Sequence, residues 1–560
     1  MADRSGGRRP GEGDGEARAP LDETVQIRMA PLAARAARRT RHGTGPHTGP
    51  HTGAGNRAET GDGADAAAGP RIGSRTWRPF APFVIPKSPA PRAVLSRALS
   101  VPLVVALVFV LPLAVAGRSQ PDVRDGVFWL QLATTCYAGA RLSAMVLAGR
   151  RRLIQGTVWL FCYVAMGVAP LAQIVLEQTP TPVVGTRGDF TMAVALVLAG
   201  FVAFDVGALL SRHASEARLS RPRPAASVNK HRLYLLVIFA YAGSGLLIAS
   251  FGGPAPFFDS RQAISDELTG GGTSGSQVGS AFLRGFGTVP ALLALLMTTR
   301  WLVTSRRARR QPGVVLPWAG LVLVNGIVNN PISNPRYWFL TVAFALLFTA
   351  FPRSPVVYRA ALAGGVALAV LLFPFADKFR YDDSGRKETR SGSVLEPLVM
   401  KDYDQTVMFA NTISYVDSGT GHTYGKQLAS SAFFFVPRSV WDGKQLDSGV
   451  KVGTWMGMTN VNLSSPLWTE LWLDFGPLGM TGGLLLVGYA AARTDRRFAE
   501  SGHMSRDPGN VLATVVPLIA GYSFILLRGP LLQATGRIGI AVLCLALVAT
   551  FRPDEGKRLR

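Results

Sequence analysis

The chain has 560 residues, with 59 Lys and Arg against 35 Asp and Glu for a formal net charge of +24, yet 48% of it is hydrophobic and its mean hydropathy is +0.22. Much of the positive charge falls in the N-terminal stretch and in short segments between apolar runs, where membrane topology places Lys and Arg, and the basic and aromatic interleaving that nucleic-acid binding needs is missing. Cys136, Cys162 and Cys544 all lie in apolar segments, which excludes a disulfide framework and a thiolate metal site.

Residues 1–96 are rich in Gly, Ala, Arg, Pro and Thr, with a short PHTG repeat from Pro46 to Gly53. Such a stretch buries too little apolar surface to offset its ordering entropy and is expected to be a disordered basic tail. His42, His47 and His51 in it read as solvated linker, and Trp77, Phe80 and Phe83 as an interfacial anchor. No cleavable signal peptide precedes the first apolar run, so that run is expected to direct insertion.

The fold class that follows is an all-α polytopic membrane protein with about twelve spans, each an apolar run able to cross ~30 Å of hydrocarbon. The runs are Leu99 to Ala116, Val127 to Leu147, Leu153 to Leu176, Phe190 to Leu210, Leu233 to Phe251 and Phe282 to Val303. They continue with Val314 to Val328, Tyr337 to Phe351, Ala360 to Phe375, Leu473 to Tyr489, Val511 to Leu527 and Leu532 to Phe551, the seventh to ninth being short.

Charge tests the topology, because alternate short loops should hold the Lys and Arg excess. One set contains Arg150 to Arg152, Arg212 to Arg232, Arg306 to Arg310, Arg353 and Arg359, Arg493 to Arg497, and the C-terminal residues 552–560; the opposite set is nearly free of such clusters. The asymmetry fits twelve spans with both termini in the cytoplasm and a bundle spanning residues 97–551. One large loop, 376–472, then lies on the outer side between the ninth and tenth spans, and its many aromatics predict that it folds against the bundle. A second outer loop, Gly252 to Ser280, carries Phe257-Phe258-Asp259-Ser260-Arg261 and then a Gly/Ser-rich stretch.

Outer cations are informative because topology predicts few of them. Arg261, Arg284, Arg336, Arg380, Arg438, Lys444, Arg528 and Arg537 sit in or beside outer loops, and guanidinium groups there suit a diphosphate or anionic sugar, whose oxyanions they bind in a bidentate way. Asn334-Pro335-Arg336-Tyr337 and Arg528-Gly529-Pro530 are tight outer hairpins, where a charge is costly unless it faces protein, water or an anion. Arg141 and Asp205, inside the second and fourth spans, are expected to form a structural ion pair. Outer acids that could accept a proton are Glu470 and Asp474, with Asp377, Asp382, Asp383, Glu396, Asp402, Asp404, Asp442 and His422 in the same loop; Glu470 is the favoured candidate for a catalytic base. No Walker, Rossmann, zinc or Ser/His/Asp pattern is present, so neither a cofactor nor a metal is expected.

Four segments resemble the O-antigen polymerases, or oligosaccharide repeat unit polymerases. They are Asn334-Pro-Arg-Tyr-Trp-Phe-Leu, Phe435-Val-Pro-Arg438-Ser-Val-Trp-Asp-Gly-Lys444, Ser465-Pro-Leu-Trp-Thr-Glu470-Leu-Trp-Leu-Asp-Phe-Gly476-Pro-Leu-Gly479, and Arg528-Gly529. The resemblance covers the membrane portion and leaves the tail unexplained. It implies a membrane glycosyltransferase that joins oligosaccharide units carried on polyprenyl diphosphate, making a surface polysaccharide on the outer face beside a flippase and a chain-length regulator. Arg336, Arg438, Lys444 and Arg528, with Arg261 and Arg380, would then bind the lipid-linked oligosaccharide, and Glu470 would act as base or as a structural residue.

Two alternatives stand beside this reading. The related ligases that transfer finished chains carry a His in their large outer loop, and His422 lies in this one. A twelve-span transporter would account for the span number and orientation, although the two halves show no repeat and a folded outer loop is atypical. A monosaccharide-transferring enzyme would present an acidic pair in its first outer loop, for which Asp122 and Asp125 are a weak match.

Overall fold

A computed structural model describes residues 100–148, 151–216, 226–258, 277–369, 395–399, 401–502 and 507–550. The expected tail (1–96), the C-terminal segment 552–560, Arg261 and Arg380 lie outside the described residues.

The described residues are mostly helical (78%), and among them six helices are long and apolar enough to cross a membrane. In chain order the helices that carry the apolar runs are α1 (residues 100–116), α2 (Gly126–Ala148), α3 (Leu153–Leu176), α4 (Arg187–Glu216), α5 (Lys230–Ser250) and α6 (Gln277–Thr304). The shorter α7 (Pro312–Val328), α8 (Arg336–Ala350) and α9 (Pro355–Ala367) follow. The segment after them contributes α10 (Gln405–Tyr415), α11 (Lys426–Ala432) and α12 (Ser448–Trp455). Last come α13 (Leu467–Arg497), α14 (Leu512–Arg528) and α15 (Leu531–Val548).

Prolines inside apolar helices leave a visible mark. Pro112 and Pro170 each follow a π-helical turn, Ala106–Val110 in α1 and Val164–Val168 in α3. A proline ring clashes with the carbonyl four residues back and supplies no N–H to it, so the turn widens and a carbonyl must find another donor. For Pro170 that carbonyl is on Met166, and Gln131 of α2 donates its Nε2 to it at 3.0 Å and to Gly167 O at 2.9 Å. In α1 the Tyr163 hydroxyl donates to Leu107 O.

Close helix contacts rest on small residues, as packing within lipid favours. A Cβ at Gly207 of α4 would stand 1.9 Å from Leu485 O, and one at Gly488 of α13 would stand 2.0 Å from Phe204 O. Beside this seam the expected ion pair forms: Arg141 Nη2 lies 2.6 Å from Asp205 Oδ1, and Tyr137 donates to the other oxygen at 2.6 Å.

Helix ends gather in two sets, one at each end of the bundle. At one end of the bundle, Ile154 N and Gln155 N at the start of α3 each donate at 3.0 Å to Asp495 near the end of α13. There too Arg359 of α9 donates to Val146 O near the end of α2 at 3.1 Å, and Ser227–Val228 before α5 pairs antiparallel with Ala549–Thr550 after α15. At the other end, Arg187 at the start of α4 meets Asp125 before α2. Gln173 near the end of α3 donates to Leu398 O and Tyr403 O, and Tyr337 at the start of α8 donates to Asp402 O.

The segment expected as a large loop is folded where it is described, with α10 buried from Gln405 to Ile413. Its boundary needs one correction. The helix expected from Leu473 begins at Leu467, so Glu470 belongs to a helix and not to a loop leading into it. That helix breaks at Gly476 (φ +65°, ψ −155°), a conformation essentially restricted to glycine.

Candidate functional site

The end of the bundle that carries the loop helices holds a cavity of about 720 Å³. Its wall comes from the start of α6 (Phe282, Arg284, Gly285), the turn into α8 (Pro331 to Tyr337), Asp402, the segment from Phe434 to Val450, and the junction of α14 and α15 (Ile525 to Ile540).

Arg336 is placed by an asparagine-rich turn. Asn330 Oδ1 accepts from Ile332 N (2.9 Å) and Ser333 N (2.8 Å), while its Nδ2 donates to Phe257 O at 2.8 Å. Asn334 Nδ2 donates to Val328 O at 2.8 Å. Pro335 then caps α8, which leaves Arg336 in the first turn facing the cavity. Arg528 closes α14, where Gly529 and Pro530 end the helix and a cation complements the helix dipole.

Asp402 joins these two arginines. Its Oδ2 lies 2.5 Å from Arg336 Nη1 and its Oδ1 3.4 Å from Arg528 Nη2. Arg528 also sits 4.8 Å from the centroid of the Tyr337 ring, and Arg537 lies 4.2 Å from that of Trp338. Aromatic faces thus hold two guanidiniums in place. Arg284 is anchored by donating to Ser333 O at 3.0 Å.

Lys444 Nζ donates to Phe434 O and Val436 O, both at 2.7 Å, which folds the Phe434 to Lys444 segment back on itself. Burial and the neighbouring Arg438 push the Lys444 ammonium below the usual lysine range. Arg438 is exposed at the rim and donates to Gln445 O at 3.3 Å. The four described cations expected to bind substrate, Arg336, Arg438, Lys444 and Arg528, therefore line one cavity, with Arg284 and Arg537 of the same outer set beside them. Against these six stand two lining carboxylates, Asp402 and Asp447.

The chain matches no family model, no curated protein and no solved structure.

Glu470 is fully buried and does not line the cavity. It accepts from Ser448 Oγ and, at 3.3 Å, from Leu531 N, tying α13 to the starts of α12 and α15. Asp474 accepts from Thr423 Oγ1, Gly425 N (3.1 Å), Gln427 N (3.0 Å) and Leu428 N (2.8 Å) and so seats the start of α11. His422 packs against Trp472 and Tyr424 beside the Gly476 break, outside the cavity lining.

The acid that sequence reasoning missed is Asp447. It caps α12 by accepting from Gly449 N at 3.0 Å, its other carboxylate oxygen is buried without a partner among the described residues, and the residue lines the cavity. Burial pushes its carboxyl up to about 6. The available signal was Asp447-Ser448-Gly449, an acid ahead of a short helix.

Chemically, the lining combines a cationic side with an apolar one. Guanidiniums suit phosphate oxygens, while Phe282, Phe434, Leu532 and Ile540 offer a hydrocarbon wall. Among the described residues no cluster of His, Cys, Asp and Glu is arranged to hold a metal ion.

Proposed function

We propose that the protein is a polymerase that joins oligosaccharide repeat units carried on polyprenyl diphosphate into a surface polysaccharide, at the outer face of a bacterial cell membrane. The observation that carries this reading is the convergence of Arg284, Arg336, Arg438, Lys444, Arg528 and Arg537, from separate elements, on one cavity with an apolar wall. A lipid diphosphate is anionic at its head and hydrocarbon in its tail, and both needs are met there.

The proposed topology has twelve spans with both termini in the cytoplasm. The pairing of alternate helix ends supports it, as does the concentration of Lys and Arg at the end opposite the cavity. In transfer, the cations would neutralise the charge that develops on the departing diphosphate. No nucleotide sugar is needed, since the lipid diphosphate is itself the leaving group. Membrane lipids surround the bundle, and a flippase and a chain-length regulator are the partners such an enzyme works beside.

The test is to incubate purified, reconstituted protein with polyprenyl diphosphate oligosaccharide extracted from the source cell and to resolve the products on a gel. A ladder spaced by one repeat unit is expected. Single-step transfer would instead identify a ligase, and movement of the donor across the bilayer without transfer would identify a transporter.

A further inference from the structure

We propose that Asp447 is the proton acceptor of the transfer step, taking the proton from the attacking hydroxyl of the acceptor sugar; this inference rests on the polymerase reading above. The cavity presents two carboxylates, and their surroundings divide the work. Asp402 is held by Arg336 and Arg528 and is committed as their counter-ion. Asp447 makes no ion pair within 4.0 Å among the described residues, yet it lies on the same wall as the cations.

The groups around Asp447 keep it in place without a direct ion pair, with the Lys451 charge acting on it from nearby. One carboxylate oxygen is fixed by Gly449 N. Lys451, on the same helix, directs its ammonium to Gln427 Oε1 and Gln445 Oε1. Glu470, from α13, is near enough for the Asp447 charge to act on it, and α15 contributes the uncharged Gln533. Burial then raises the carboxyl into the range where a base works near neutral pH.

The step balances. The acceptor O–H bond breaks with its proton passing to Asp447, and the oxygen lone pair forms the new C–O bond at the anomeric carbon of the donor. The bond from that carbon to the diphosphate oxygen breaks, its electron pair leaving with polyprenyl diphosphate among the arginines. Asp447 then releases its proton to water at the cavity mouth.

The experiment measures transfer and donor retention for wild type, Asp447→Asn and Asp447→Glu, each in the full chain reconstituted in phosphatidylethanolamine and phosphatidylglycerol vesicles with the extracted lipid-linked donor. Asn keeps the helix cap but cannot accept the proton. Asp447→Asn is expected to slow transfer about a hundredfold or more with donor retention unchanged, and its residual rate should lose the rise through about pH 6 that is expected of wild type. Asp447→Glu should recover part of the rate. Transfer by Asp447→Asn within about threefold of wild type, too little for a lost general base, would overturn the assignment while leaving the polymerase reading intact. Should Asp447→Asn fail to fold, the wild-type profile decides: a rate independent of pH between 5 and 7 would overturn it. Absence of transfer by wild type would sink the polymerase reading, and this proposal with it.

Discussion

The Arg528 guanidinium lies 4.8 Å from the centroid of the Tyr337 ring, while the same group reaches Asp402 at 3.4 Å. A planar cation is thus held between an aromatic face and a carboxylate. Tyr337→Leu removes the ring while leaving the charge, and we expect it to weaken binding of polyprenyl diphosphate by roughly two- to thirtyfold, the range of a cation–π contact. Arg528→Lys should weaken it as well, because an ammonium cannot reproduce the fork. Retention of the labelled lipid by purified protein measures both.

Asp402 stands where an anion would otherwise bridge Arg336 and Arg528. Asp402→Asn leaves two guanidiniums facing each other in a half-closed site, and unfolding in detergent should become easier by roughly 3 kcal/mol. Inorganic pyrophosphate should then raise the melting temperature of the variant more than that of wild type. Equal shifts in the two proteins would mean that pyrophosphate binds elsewhere.

Gly476 interrupts α13 at φ +65°, and an added Cβ would stand 3.2 Å from His422 Nε2. Gly476→Ala should cost roughly 1–3 kcal/mol of stability. Thermal denaturation checks this, and an unchanged midpoint would show that the break is not required.

Asp447 links stability to pH. Its carboxyl is raised to about 6 from an ordinary 3.8, so between these values the folded chain binds more protons than the unfolded one. Stability must therefore fall as pH rises through that window, by up to roughly 3 kcal/mol from this group. Burial raises Asp404 in the same direction. The difference between wild type and Asp447→Asn across pH 4 to 6 isolates the contribution of Asp447.

The helices were legible in the sequence because an apolar run long enough to enter lipid has few alternatives; the predicted Leu153 to Leu176 run coincides with α3. The gathering of Arg336, Arg438, Lys444 and Arg528 was legible because outer cations are scarce under the charge rule. What could not be read was the long-range pairing of Asp402 with partners 66 and 126 residues away, since nothing local to Asp402 encodes it. Hydropathy starts the span at Leu473 and so puts Glu470 in the loop, whereas Pro466 is where α13 is capped. A reading that weighed Ser465-Pro466 as a helix start would have moved it inside.

For the proposed transfer the cationic cavity must open to the outer face and receive the lipid diphosphate there. The direct measurement is labelling of Arg438→Cys, at the exposed rim, by a membrane-impermeant maleimide in intact spheroplasts, with and without added polyprenyl diphosphate oligosaccharide. We predict labelling from outside that the donor suppresses. Labelling only after permeabilisation would place the cavity on the cytoplasmic side, and labelling indifferent to the donor would remove it from the binding site.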